Sequence, residues 1–294
     1  MRALRRGDKV GIIAPSSFVD ENDIALALIY LEEDLGLQVE LGTHLYDKHR
    51  YMGGTPKARA MDIMHFFRDP KIKAIFCAAG GAGSQYILPY LDFEVIKKNK
   101  KPIVGFSDST ALQMGIYAKT KCPYYTGFSL RYDFSKKFLA PEIDLSLRKV
   151  LAHEPFYFED CDVLKKGCAE GILIGGCLSP LMRLAGTEFF PNLKDKTLLI
   201  EDVGEKTYKI DLMLQQLKSQ KGFSELKGII FGEFVNCKVQ DEADGTIDEI
   251  IKAFAEDVKI PIVKNFPYSH GRSRFVLPMG KKIVLDANGK SVAF

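Results

Sequence analysis

The sequence predicts an α/β protein with an N-terminal, doubly wound, mostly parallel sheet domain and a C-terminal domain of mixed α/β character. Three observations predict it. Short apolar runs alternate with segments of helical periodicity through the first half of the chain, and strands separated by helices pair in parallel through right-handed crossovers. The length, 294 residues, is large for one core and comfortable for two. The second half again mixes strand-like and helix-like segments, after a charged and aromatic stretch with no clear period, 154–166. That stretch is read as the linker between a domain at 1–153 and another at 167–294.

The elements follow from local pattern. Residues 9–14 form an apolar strand. Ile24, Ala27, Leu28, Leu31 and Leu35 recur at helical spacing, with Gly36 as the C-terminal stop. Residues 38–41 form a short strand, and 57–68 a helix whose stripe is Met61, Met64 and Phe67. Strands at 73–78, 103–106 and 124–126 follow, then a helical stretch over 135–153. In the second half, 171–175, 197–201, 228–231 and 282–285 read as strands. Ile210, Met213, Leu214 and Leu217 form one helical stripe, and Ile247, Ile250, Ile251 and Phe254 another. In parallel sheets of this kind, functional loops gather beyond the carboxyl ends of the strands. Ser16, the run Gly80–Gly83 and Ser107 all follow strand ends.

Composition bounds the function. Forty-one basic against 38 acidic side chains give a net charge of +3, too balanced to point to nucleic acid or to a membrane surface. The apolar runs fall short of a membrane span, and the N-terminus shows no secretory signal, so the cytoplasm is the expected compartment. The six cysteines form no C-x-x-C pair and read as reduced, buried thiols. Cys161, Cys168 and Cys177 fit no zinc spacing, so no metal is expected there.

One peptide carries chemistry. In Pro102-Ile-Val-Gly-Phe-Ser107-Asp108-Ser109, a proline-opened apolar strand ends in a Gly-x-Ser turn ahead of a helical segment. A serine on such a turn stands out of the sheet, and the next N–H, that of Asp108, lies where it can stabilise an oxyanion. The other reading is a serine that caps the helix; Ser109 stands where the second glycine of the full motif would be. A serine nucleophile needs a base. Of five histidines, His270 lies in the turn-rich segment Pro267–Arg272 that suits a functional loop, with a surface histidine as the alternative. Glu201, at the end of Leu198-Leu199-Ile200, is a candidate to orient the imidazole; Asp202 and Glu205 are its rivals. Gly80-Gly81-Ala82-Gly83 can bring backbone N–H groups to a ligand, so the N–H of Gly81 or of Ala82 is a further candidate oxyanion donor. A tight turn is the other reading, and a dinucleotide site would need a later glycine that is absent.

These residues, taken together, resemble the LD-carboxypeptidases, serine peptidase family S66, which also contains the microcin C self-immunity proteins. The resemblance runs through nearly the whole chain: Gly11-Ile-Ile-Ala-Pro-Ser-Ser17, Arg68-Asp-Pro70 through Gly80-Gly81, Leu88-Pro-Tyr-Leu-Asp92, Gly105–Leu112, Gly171–Gly176, Leu184-Ala-Gly-Thr187, Glu201–Glu205, Tyr208–Asp211, Ser269-His-Gly271 and Leu277–Gly280. It implies an active site in the cleft between the two domains, with a Ser107–His270–Glu201 triad, and a serine peptidase mechanism needs neither metal nor cofactor. It also implies a murein tetrapeptide substrate that loses its terminal D-alanine during cell-wall recycling. Arg272 and Arg274 flank the histidine and suit a free substrate carboxylate, surface arginines being the alternative. Family members often pair, so a homodimer is compatible with the resemblance, although no interface stripe is evident. The immunity branch hydrolyses a peptidyl-aminoacyl nucleotide, for which an aromatic platform is expected; this chain has no tryptophan. A third reading is a non-catalytic protein that holds a peptide or nucleotide. It draws on two departures from the family pattern: Ala79-Gly80-Gly81-Ala82-Gly83 stands for R-G-G-Y-G, and Cys177 for the asparagine of G-G-N; a third departure, Leu212 for the arginine of D-R-M, bears on substrate contacts.

Overall fold

The structure, a computed structural model, describes residues 2–135, 139–271 and 274–294. The chain divides into two compact units, Met1–Glu154 with Val276–Pro278, and Pro155–Phe275 with Met279–Phe294. Among the described residues no helix is long and apolar enough to cross a membrane.

The first unit alternates strand and helix as its sequence pattern requires: β1 (Lys9–Ile13), α1 (Glu21–Ile29), β2 (Gln38–Leu41), α2 (Pro56–Arg68), β3 (Ile72–Cys77), α3 (Phe93–Lys98), β4 (Ile103–Gly105), α4 (Ser109–Thr120), β5 (Tyr124–Thr126), α5 (Leu130–Phe134) and α6 (Pro141–Ala152). The strands β2, β1, β3, β4 and β5 are neighbours in that spatial order and pair in parallel. A late strand, Leu277–Met279, adds to the far side of β5. The order reverses direction between β1 and β3. At such a switch point the two following loops diverge and leave a crevice.

The three-residue strands β4 and β5 are buried throughout. They read as continuous apolar runs because helices cover both faces of a parallel sheet. Ile63, Phe66 and Phe67 of α2 and Leu112 and Ile116 of α4 seal the sheet at 0–2% exposure. Each contributes about 1.5–3 kcal/mol by leaving water.

Three local expectations need correction. The core face of α2 is Ala60, Ile63, Met64 and Phe67, the i, i+3, i+4, i+7 set, whereas Met61 is 62% exposed. Of the helix expected over 135–153, residues 136–138 lie outside the described residues, and α6 starts at Pro141, whose fixed φ and missing N–H suit a first helical position. The helix expected to run to Leu35 is α-helical to Ile29 and closes with a wider π turn over Tyr30–Asp34. Gly36 follows at φ 66° as its stop.

The second unit contains β6 (Tyr157–Phe158), β7 (Asp162–Lys165), β8 (Cys168–Cys177), α7 (Leu178–Met182), β9 (Lys196–Val203), α8 (Thr207–Lys218), β10 (Gly228–Val235), α9 (Ile247–Glu256) and β11 (Ile262–Lys264). The strand already met at Leu277–Met279 is β12, and β13 (Lys282–Asp286) and β14 (Ser291–Ala293) complete the chain. Eight strands make one sheet in the order β6-β14-β13-β8-β9-β10-β11-β7. Its centre, β8 to β11, is parallel, and its flanks are antiparallel. Residues 155–165 thus supply two strands of this sheet. Phe158 packs edge-on against Phe266 and Phe275, at centroid distances of 4.8 and 4.6 Å. Among the described residues the six cysteines form no disulfide; Cys168 is exposed and Cys237 half-buried, and the other four are buried.

Candidate active site

In the first unit the chemistry gathers at the carboxyl ends of β1, β3 and β4. Ser107 lies between β4 and α4 with φ 62°, a left-handed backbone that costs a side-chain-bearing residue about 1–2 kcal/mol. Its side chain does not cap α4. The N–H groups of Ser109, Thr110 and Ala111 donate to the carbonyls of Phe106, Ser107 and Asp108, and the helix has no side-chain cap. The buried Asp108 carboxylate accepts from the Ser84 N–H at 2.9 Å, and the Ser84 hydroxyl donates to the Asp108 carbonyl at 2.6 Å. These two hydrogen bonds tie the turn carrying Ser107 to the loop that follows β3.

This loop holds Gly80, Gly81 and Ala82. Gly80 is where backbone must come close: a Cβ there would stand 2.9 Å from the Ser107 Cβ. The loop turns through φ 115° at Gly81 and φ 102° at Gly83. Its Gly80 carbonyl accepts from the Ser17 N–H at 3.1 Å, joining it to the loop after β1. Gly81 is exposed and Ala82 half-buried.

In the second unit Glu201 and His270 meet. The Glu201 side chain is fully buried on β9, and its Oε2 lies 2.8 Å from His270 Nδ1. A carboxylate facing Nδ1 holds the proton there and makes Nε2 the basic nitrogen. Glu201 Oε1 is buried and has no hydrogen-bond partner among the described residues. Strand β10 bulges opposite Glu201, with the register shifting between Phe231 and Phe234. The segment 266–271 seats on that bulge. Phe266 N–H donates to Phe231, Glu233 N–H to the Tyr268 carbonyl, and the Ser269 hydroxyl to Glu233 at 2.9 Å.

Gly232 makes the seat, because a Cβ there would meet the Tyr268 carbonyl oxygen at 2.1 Å. Both partners are backbone, so neither yields cheaply. Gly232→Ala is therefore expected to displace the His270 segment and to cost about 1–3 kcal/mol. Urea unfolding checks the cost, and a change in the His270 ring signals by NMR checks the displacement.

Asp202, the neighbour, points elsewhere, as alternate residues of a strand do. Its Oδ2 accepts from the Ser179 N–H at 2.8 Å, and its Oδ1 from its own strand's Val203 N–H at 2.8 Å and from the Cys177 thiol at 3.4 Å. Cys177 is the register partner of Glu201. Burial first, then the carboxylates of Glu201 and Asp202, pushes its thiol well above the usual range, so it stays a donor.

Burial also raises the Asp202 carboxyl to about 6. Between its ordinary pKa of 3.8 and about 6, the folded chain keeps a proton that the unfolded chain has lost. Its contribution to stability is whole below that window and is lost as pH rises through it, at up to about 1.4 kcal/mol per pH unit. Urea titrations from pH 4 to 7 are expected to show that fall in the parent and not in Asp202→Asn.

Two family models match the chain: the LD-carboxypeptidase N-terminal domain over residues 10–127 and the LD-carboxypeptidase C-terminal domain over residues 170–285. The chain belongs to the LD-carboxypeptidase family. It is 35% identical to the "Probable murein peptide carboxypeptidase" of Bacillus subtilis, over 99% of this chain and 92% of the relative. It is 27% identical to the microcin C7 self-immunity protein MccF of Escherichia coli, over 98% and 93%. Its fold matches the crystal structure of muramoyltetrapeptide carboxypeptidase from Oxalobacter formigenes with a TM-score of 0.87 at 25% identity, covering 97% of this chain and 98% of that one. The two-domain α/β fold expected from the sequence is therefore that of the family.

The remaining expected site residues of this LD-carboxypeptidase-family chain fall as follows. Arg272 lies outside the described residues. Arg274, for which a surface position was the alternative, is 1% exposed. Among the described residues no group of three or more His, Cys, Asp or Glu side chains is arranged to hold a metal ion. Sequence reasoning passed over Ser84, Gly232 and Arg59. The first two could have been flagged only with the loop contacts known. Arg59 had one visible signal: a cation four residues before Ile63 and seven before Phe66, on the buried side of α2.

Proposed function

We propose that the chain is a serine carboxypeptidase that hydrolyses the L,D-peptide bond to the terminal D-alanine of murein tetrapeptides, in cytoplasmic cell-wall recycling, with Ser107, His270 and Glu201 as its triad. The observation that carries the reading is the Ser107 backbone. A non-glycine residue held left-handed on a strand-to-helix turn, beside a glycine loop, has a strain that capping does not explain. Family membership and the names of the relatives support the substrate class.

In this reading Ser107 Oγ bonds to the carbonyl carbon as its proton passes to His270 Nε2. The carbonyl oxygen becomes an oxyanion held by N–H groups of Asp108 and of Gly81 or Ala82. Collapse breaks the C–N bond, and His270 returns the proton to the departing D-alanine amine. Water then attacks the ester, gives a proton to His270, and releases the tripeptide acid and the Ser107 hydroxyl. Glu201 holds the imidazole and faces its positive form with a negative charge.

The test is D-alanine release from an L,D-linked tetrapeptide by the purified protein. Release by the parent supports the reading. A parent that is labelled by a serine-directed phosphonate but releases no D-alanine has the chemistry with another substrate. An acylated nucleotide is the second one to assay, given the likeness to MccF.

A further inference from the structure

Arg59 is the one buried arginine of α2 and is 3% exposed. Its Nη1 donates to the carbonyls of Pro15 and, at 3.0 Å, Gly83. Its Nη2 lies 3.2 Å from the Met52 sulfur. Its Nε is buried without a hydrogen-bond partner among the described residues. No carboxylate among the described residues forms an ion pair with it; the main negative charge it feels is that of Asp108. A buried cation without an ion-pair partner costs several kcal/mol, and an apolar residue would seal the same face of α2 at no such cost. The bonds the guanidinium does make are specific. Pro15 belongs to the loop after β1 and Gly83 to the loop after β3, the pair that part at the switch point of the sheet.

We propose that Arg59 is a positioning residue that fixes the Gly80–Gly83 loop against the Ser107 turn, so that loop N–H groups face the developing oxyanion. The proposal rests on Ser107 being the nucleophile. The loop is held at three points: by Ser17 N–H at Gly80, by Arg59 at Gly83, and by Asp108 at Ser84. Of these ties, the middle one is a side chain reaching from outside the loops after β1, β3 and β4. Fixed donors are worth most in the transition state, where charge develops, and little when substrate merely binds. Removing the tie should therefore lower kcat and leave KM near its parent value.

The experiment compares the parent with Arg59→Lys and Arg59→Met, each checked for folding by circular dichroism and thermal unfolding. The readouts are kcat and KM for D-alanine release and the rate of labelling by a serine-directed phosphonate. In the folded variants kcat and the labelling rate are expected to fall about 10²-fold, and KM to stay within about threefold. Parent-like kcat in a folded variant overturns the proposal. So does a rise in KM alone, and so does failure of both variants to fold, which would make Arg59 a folding residue and nothing more. A parent that takes no label refutes the nucleophile reading instead, so the two failures are distinct.

Discussion

Ser107→Ala is expected to lower kcat for D-alanine release by about 10⁴- to 10⁶-fold while leaving the fold intact. The hydroxyl is the only group the substitution removes. Alanine tolerates φ 62° no better and no worse than serine, so the strain of the turn stays and stability should change by less than about 0.5 kcal/mol. The Ser84–Asp108 bonds that hold the turn do not involve the Ser107 side chain. Loss of activity with unchanged unfolding therefore isolates the nucleophile from the scaffold. Ser107→Gly makes a useful companion. It relaxes the left-handed residue and is expected to gain up to about 1 kcal/mol in stability with equally little activity, the trade expected where strain is kept for function.

The second large effect is expected at Glu201. Glu201→Gln keeps the shape of a side chain that is fully buried and removes only its charge. The buried amide can still accept from His270 Nδ1–H, but it no longer faces the imidazolium with a negative charge, and in its flipped orientation it favours the wrong tautomer. A fall in kcat of about 10³- to 10⁴-fold follows. Glu201→Asp restores the charge one methylene short of His270 and should recover about tenfold of that loss. Asp202→Asn should lose far less, because Asp202 holds Ser179, Val203 and Cys177 and has no bond to His270. Kinetics on the three variants separate orienting charge from general acidity at this strand end.

The first domain was legible where local pattern and tertiary need coincide. The apolar runs at β1, β3, β4 and β5 are strands because the helices cover both faces, and the turn at Ser107 follows from a strand meeting a helix. The stripe of α2 was misread by one position. A period of three places Met61 inward, while the helix places Ala60 and Ile63 there instead. Much of the second unit was not legible. Strands β6, β7, β11 and β14 are two to four residues long and exist through partners far off in sequence, which no local window contains. The choice between Glu201 and Asp202 had the same limit. Adjacent strand residues face opposite ways, and only the bulge of β10 and the segment seated on it decide which carboxylate meets His270. Arg59 went unremarked because a charged residue in a helix reads as solvated until its buried carbonyl partners are known.

The most direct measurement is the covalent site of a peptide-phosphonate probe, located by mass spectrometry in the parent chain and in His270→Ala. A single adduct on the Ser107 hydroxyl is expected, formed at least about 10³-fold more slowly without the imidazole. An adduct on any other side chain, or one on Ser107 that forms equally fast in His270→Ala, would contradict the triad.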